Sequence, residues 1–183
     1  MKIGIIGAGQ AACTLIAELV SGQFSGKILV FNGESYRPYQ RPPLSKTWLH
    51  NPTDIESIRL LPEPIETHAS IEWIYDHVVS IEPDQGMIAT ENDRRTVDHI
   101  VMATGTRAKM FPIDGLPSDQ VHVIRTLSDA IHLHEVLDKA HNIAIIGAGF
   151  LAFELASNLD CPEHTIRVLA KGIRALPQIS VIA

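Results

Sequence analysis

Residues 3–19, IGIIGAGQAACTLIAEL, recur 140 positions further on as residues 143–159, IAIIGAGFLAFELASNL. Each copy runs apolar or small residues into Gly-x-Gly-x-x-Ala. Each then sets apolar or small side chains at helical spacing: Ala12, Leu15, Ile16 and Leu19 in the first, Ala152, Leu155, Ala156 and Leu159 in the second. The pattern predicts strand, tight turn and helix, twice. Gly7 and Gly147 permit the turn, Gly9 and Gly149 let backbone approach a pyrophosphate, and the small Ala12 and Ala152 let helix pack on strand. Unpaired amides and the helix dipole at each helix N-terminus favour negative charge there. One copy alone is equally compatible with a glycine turn that binds nothing. Two copies in the same strand-to-helix context point to dinucleotide binding.

Composition narrows the class. A chain of 183 residues with 45% hydrophobic content has enough apolar material for a core, as one large domain or two small ones. A net charge of −6 without a Lys/Arg-rich run argues against nucleic acid and anionic membrane as partners. The nine histidines are scattered, and His132 and His134, two apart on a predicted helix, face different directions, so no metal site is expected. The N-terminal apolar run is broken by Gly4, Gly7 and Gly9, unlike a secretory signal, and no apolar stretch reaches membrane-spanning length; the expected compartment is the cytoplasm. Cys13 and Cys161 form no close pair, so a dithiol centre is not local in sequence, and two small buried side chains are expected.

Between the copies, KILVF at 27–31 reads as a second strand, followed by Glu34, 25 residues beyond Gly9. An acid near this spacing accepts hydrogen bonds from an adenosine ribose, although a solvated loop carboxylate fits the spacing as well. YRPYQRPPLSK at 36–46 carries three prolines, which exclude a regular strand and allow a helix only from Pro43 onward. Its Arg37, Arg41 and Lys46 suit phosphate clamping or an ordinary exposed loop. Residues 57–67, with Pro62 and Pro64, read as a loop, with at most a short helix before it. From 71 to 105 the runs IEWIY, VVSIE, MIATE and, after a charged turn at 92–95, VDHIVMATG predict an antiparallel meander returning to the parent sheet. Pro112, Gly115 and Pro117 mark a link, giving expected domains 1–115 and 116–183. Ser128 is the expected N-cap of a helix ending near Lys139.

The strand TIRVL at 165–169 should end in a ribose-binding acid, but Ala170 stands there, followed by Lys171 and Arg174. Missing acid plus cations fits the 2′-phosphate of NADP(H), although solvated cations at a strand end are the commoner explanation. A mononucleotide-binding half needs about three parallel strands, and only 14 residues follow Leu169, so the second unit reads as incomplete. Leu176, Ile179, Val181 and Ile182 would then form an unpaired edge, with self-association, domain swapping or disorder expected beyond about residue 170.

The segment PYQRPPLSK, after a strand with Glu34, resembles the hallmark of the FAD-dependent ferredoxin reductases that serve aromatic-ring dioxygenases and cytochrome P450 systems, with Gln40 where that family carries Asp or Glu. The resemblance implies an α/β, Rossmann-type FAD/NAD(P)-binding fold: a parallel sheet, a small antiparallel meander and an incomplete second Rossmann unit. It implies FAD contacts from Gly7, Gly9, Ala11, Glu34, Arg41 and Lys46, with backbone at Val78 on adenine and Ala103, Thr104 and Gly105 closing the site. Arg125, in an Arg-x-x-x-Asp-Ala pattern, would reach back toward FAD. Gly147, Gly149 and Ala152, with Lys171 beyond, would hold NAD(P)H, and Glu154 would pair with Lys46 near nicotinamide and flavin as the catalytic pair. NAD(P)H would give hydride to FAD, and electrons would pass singly to a ferredoxin-type iron–sulfur protein. The resemblance covers only the first half of such a protein. The lack of a cysteine pair favours this branch over disulfide reductases. Two alternatives remain open, a truncated non-catalytic nucleotide-binding or interaction chain and the N-terminal part of another flavoprotein reductase or oxidase.

Overall fold

The computed structural model describes residues 1–50, 52, 54–110, 112–172 and 175–176, apart from the Thr47 side chain. The elements run β1 (Lys2–Ile6), α1 (Gln10–Ser21), β2 (Lys27–Phe31), a 3-10 turn Pro42–Ser45, α2 (Thr47–His50), a 3-10 turn Glu56–Ile58 and α3 (Glu63–Glu66). They continue with β3 (Ile71–Ile74), β4 (Val78–Glu82), β5 (Met87–Thr90), β6 (Arg94–Thr96), β7 (His99–Met102), α4 (Leu127–Leu137), β8 (Asn142–Ile146), α5 (Phe150–Leu159) and β9 (Thr165–Leu169). Two compact units result. The first comprises Met1–Gln40 and Ile55–Thr106, the second the described residues of Arg41–Asp54 and Arg107–Ala183. The proline-rich segment is therefore shared, its part from Arg41 onward grouping with the second unit.

In the first unit β1 lies between β2 and β7 in a parallel sheet of order β3-β2-β1-β7. Successive strand side chains point to opposite faces, and both faces here are covered. Ile5, Ile28 and Val30 pack with Ala12, Cys13 and Ile16 of α1. On the other face Ile6, Leu29 and Phe31 meet Ile88 and Val97. Double coverage explains why β1 and β2 read as continuous apolar runs. Ile5, Ile16 and Ile28 are fully buried, each contributing about 1.5–3 kcal/mol by leaving water. Gly4 admits the covering layer: a Cβ there would stand 2.5 Å from Ile88 Cδ1. The chain runs from β1 through α1 to one side and returns in β7 on the other, which creates a switch point at the carboxyl ends of β1 and β7.

Four sequence expectations need correction. IEWI (Ile71–Ile74) is a parallel edge strand on β2, so the meander is β4-β5-β6 alone. Arg94 and Arg95 are strand, not turn. Asp93 closes the reversal, its carbonyl accepting from the Thr90 amide at 2.8 Å and its amide donating to Thr90 Oγ1 at 2.9 Å, and this frees both arginines to pair with Ala89 and Ile88. The helical turn in the proline segment starts at Pro42, because consecutive prolines fit the first two positions of a turn where no amide donor is needed. The presumed loop at 57–67 holds part of one helical turn and the whole of α3. Its Glu66, 6% exposed, receives Arg59 Nη2 at 2.8 Å and faces Arg37 Nε at 3.4 Å.

Cys13 is buried as expected, whereas Cys161 is half-exposed on the turn after α5, its sulfur 3.2 Å from His164 Nδ1. Both are free thiols. Burial, reinforced by Glu66, pushes the Cys13 thiol from 9.0 up to about 12. The unfolded chain ionises Cys13 near 9.0 and the folded chain only near 12, so the unfolded state holds fewer protons between them. Stability supplied by this group is intact below pH 9 and falls by up to about 1.4 kcal/mol per pH unit above it. Urea midpoints measured from pH 8 to 10.5 should decline more steeply for the wild-type chain than for Cys13→Ala.

In the second unit β8 and β9 form a parallel pair, Asn142 opposite Thr165 through Ile146 opposite Leu169. Leu49 of α2, Leu137 of α4 and Leu159 of α5 build its core with Ile143, Leu155 and Ile166. Ile146 and Leu169 stay more than half exposed, so the two-stranded sheet carries one covered and one open face. The expected edge residues Ile179, Val181 and Ile182, like Arg174, lie outside the described residues. Leu176 is described, and its amide donates to Ala148 O at 2.8 Å.

Candidate functional site

The first turn is built by three strand ends. The Gly7 amide donates to Phe31 O and the Ala103 amide to Ile6 O, each at 2.9 Å. Gly7 has φ +106°, and a Cβ there would lie 2.2 Å from Ala103 O. Gly9 differs: it caps α1 at φ −87°, and a Cβ there would meet nothing within 4 Å. That open space stands directly at the helix N-terminus. α1 begins without a side-chain cap and without an acid in its first turn, and so does α5 behind Gly149. α4 is built the opposite way. Thr126 caps it, accepting from the Asp129 amide at 3.1 Å, and the Asp129 carboxylate accepts from the Thr126 amide at 2.7 Å. The cap is thus Thr126 rather than the expected Ser128, because only Thr126 has an acid three residues on to close a capping box. Helices that leave their first-turn amides uncapped leave them open to water or to an anion. Among the described helices of ten residues or more, those are the two glycine-fingerprint helices.

Ala11 is exposed on the first turn of α1, and Ala12, fully buried, lets the helix lie on the sheet. Beyond β2 the buried Asn32 forms an Asx turn: its Oδ1 accepts from the Glu34 amide at 3.1 Å and its Nδ2 donates to Tyr36 O at 2.8 Å. The Tyr39 hydroxyl donates to the Glu34 carboxylate. Glu34 is therefore an oriented group and not a freely solvated one. Ala103, Thr104 and Gly105 continue β7 past the turn, with Gly105 at φ +66°. At Val78 the β4–β5 register shifts, the kind of bulge that re-aims a strand beside a site.

The second unit gathers a separate set. Lys46 Nζ lies 3.3 Å from Glu154 Oε2, and the buried Ser45 hydroxyl donates to Glu154 Oε1 at 2.6 Å. Arg41 Nη1 donates to Arg125 O at 2.7 Å, while the Arg125 amide donates to Asp129 Oδ2 at 3.0 Å. The capping box of α4 therefore also fixes the backbone that Arg41 holds. Gly147 repeats the left-handed turn at φ +119°, yet a Cβ there would meet nothing within 4 Å. Ala152 is half-buried on α5, and Ala170 and Lys171 are exposed after β9. Sequence reasoning missed Asn32, Tyr39, Ser45 and Asp129. The Asn-x-Glu and Thr-x-x-Asp spacings signalled two of them, whereas nothing local signalled Ser45, whose partner is 109 residues away.

A family model described as pyridine nucleotide-disulphide oxidoreductase matches residues 1–180. Rhodocoxin reductase of Rhodococcus erythropolis is 34% identical over 167 residues, which is 86% of this chain and 37% of that protein. A solved ferredoxin reductase from Rhodopseudomonas palustris superposes with a TM-score of 0.89 at 29% identity, over 99% of this chain and 45% of that one. An engineered water-forming NADPH oxidase, solved with NADPH bound, shares the fold with a TM-score of 0.87 at 21% identity, over 97% of this chain and 41% of its own. The chain spans less than half the length of each of these relatives.

Proposed function

Since the chain belongs to the pyridine nucleotide-disulphide oxidoreductase family, we propose that it is the nucleotide-binding portion of an FAD-dependent reductase that takes electrons from NADPH and delivers them to a ferredoxin-type iron–sulfur protein. The observation that carries this reading is the pair of fingerprint helices with uncapped N-termini, in contrast to α4, whose N-terminus is closed by a capping box. When bound, FAD supplies the chemistry, accepting hydride and giving up electrons one at a time.

The chain's own residues bind and orient. The first-turn amides of α1 and the open approach at Gly9 would take the FAD pyrophosphate, and Glu34, held by Asn32 and Tyr39, the adenosine ribose. Backbone at Val78 and at Ala103, Thr104 and Gly105 would line the adenosine and flavin, with Ala11, Arg41 and Arg125 contributing further contacts. Lys46 would offer its cation to the flavin while Glu154 holds that cation in place. Gly147, Gly149 and Ala152 would receive the second nucleotide's pyrophosphate at α5. The ferredoxin reductases among the relatives support an iron–sulfur acceptor.

The preference for NADPH over NADH rests on the end of β9. An acid that would accept the 2′-hydroxyl and repel a 2′-phosphate is replaced by Ala170, with the exposed Lys171 next to it. The engineered NADPH oxidase carries a glycine-to-alanine change and, eighteen positions on, aspartate to alanine followed directly by alanine to arginine. Ala152, Ala170 and Lys171 stand at the same spacing here.

Titration of the purified chain with FAD, followed in the visible spectrum and by quenching of free flavin fluorescence, tests the reading. The expected result is saturable uptake, with bleaching of the bound flavin when NADPH is added without oxygen. A chain that takes up no flavin at any concentration would leave only the non-catalytic alternative.

A further inference from the structure

We propose that Ser45 is a positioning residue whose hydroxyl sets the Glu154 carboxylate, so that the second carboxylate oxygen meets the Lys46 ammonium. The importance of that pair rests on the function proposed above, but its geometry does not. Ser45 ends the 3-10 turn Pro42–Ser45 and is 4% exposed. Its Oγ lies 2.6 Å from Glu154 Oε1, within the short range of a hydroxyl donating to a carboxylate. The hydroxyl has one proton, and the Pro42 carbonyl, at 3.4 Å, is too distant to compete for it.

The ion pair cannot fix itself. Lys46 and Glu154 side chains are 48% and 33% exposed, and exposed pairs of long side chains lose rotamer freedom for little Coulombic gain in water. Ser45, short and buried, has much less freedom to lose. Two prolines set the backbone of its turn, and the Lys46 amide closes it on Pro43 O at 2.9 Å. The Asn158 side chain donates to the backbone carbonyl of Glu154 and leaves the carboxylate to Ser45 and Lys46. One oxygen is thus anchored on a buried donor and the other is presented to the half-exposed cation.

The test reads Lys46 directly in the 183-residue chain without flavin. Acetylation of Lys46 by an N-hydroxysuccinimide ester is timed by peptide mass spectrometry, because an amine held by a carboxylate is shielded from the reagent. Ser45→Ala and Glu154→Ala should each raise the Lys46 rate roughly three- to tenfold, the worth of about one hydrogen bond. The double variant should react no faster than Glu154→Ala, and Ser45→Thr should keep the wild-type rate. A wild-type rate in Ser45→Ala, or rates that multiply in the double variant, would overturn the proposal. Should Ser45→Ala lose its circular dichroism signature, Ser45→Cys, close in size and a weak donor, takes its place with the same expectations. Flavin titration of the wild-type chain separates the two claims: coupled labelling without flavin uptake sinks the proposed function alone, and flavin uptake with uncoupled labelling sinks the role of Ser45 alone.

Discussion

Gly7→Ala should destabilise the first unit by about 2–6 kcal/mol, whereas Gly9→Ala, two residues on, should leave it folded and abolish tight flavin binding. Gly7 sits at φ +106° with Ala103 O at 2.2 Å from a would-be Cβ. A strained backbone costs about 1–3 kcal/mol, and the clash adds about 1–3 kcal/mol because the obstacle is the backbone carbonyl of Ala103, just past β7, whose own amide is held by Ile6 O. Gly9 has an extended conformation open to any residue and free space where a methyl would go. Alanine there even restricts the unfolded chain, adding about 0.4–1 kcal/mol to stability. The same methyl would occupy the ground where a pyrophosphate must approach, so affinity for FAD should fall on the order of 100-fold. Urea denaturation and flavin titration of both variants check this. Equal losses of stability would remove the distinction between a structural and a ligand-facing glycine.

Ala170→Asp combined with Lys171→Ala should invert the choice of pyridine nucleotide. On the function proposed above, a 2′-phosphate would meet a cation and no acid in the wild-type chain; in the variant it would meet a carboxylate, while the 2′-hydroxyl of NADH would gain a charged acceptor. Hydrogen bonds to charged groups are worth about 1.5–3 kcal/mol, so gain for one nucleotide and loss for the other should move the NADH-to-NADPH affinity ratio by about 100-fold or more. Isothermal titration with each nucleotide measures it without turnover. A wild-type chain that binds NADH more tightly than NADPH would refute the assignment before any variant is made.

Much of the first unit is legible from local rules. Strand boundaries at Lys2–Ile6 and Lys27–Phe31 follow from apolar runs ended by glycine or polar residues, and α1 follows from the spacing of Ala12, Ile16 and their neighbours. The cap of α4 is local as well: the Thr126-x-x-Asp129 box marks it, whereas Ser128 has no acid three residues on. Other features have no local signal. Glu66 and Arg59 order residues 56–66 through an ion pair, and β3 joins the parallel sheet instead of the meander because β2 offers an open edge. A short apolar run reads the same in either sheet.

The two fingerprints show the division best. Gly-Ala-Gly, twice, is enough to require strand, left-handed turn and helix at both places, since backbone sterics act on the nearest few residues. Sequence alone therefore determined the two strand–turn–helix units and the alanine, in place of an acid, at position 170. Tertiary structure decided what surrounds each. At Gly7 the carbonyl of Ala103 arrives from β7 and makes glycine obligatory for packing; at Gly147 nothing stands within 4 Å of a Cβ. Only the folded chain brings Ser45 and Lys46 to the carboxylate of Glu154. Such contacts depend on chain segments more than a hundred residues apart, whose meeting is set by the burial of Leu49, Leu137 and Leu159 in one core and not by any local pattern.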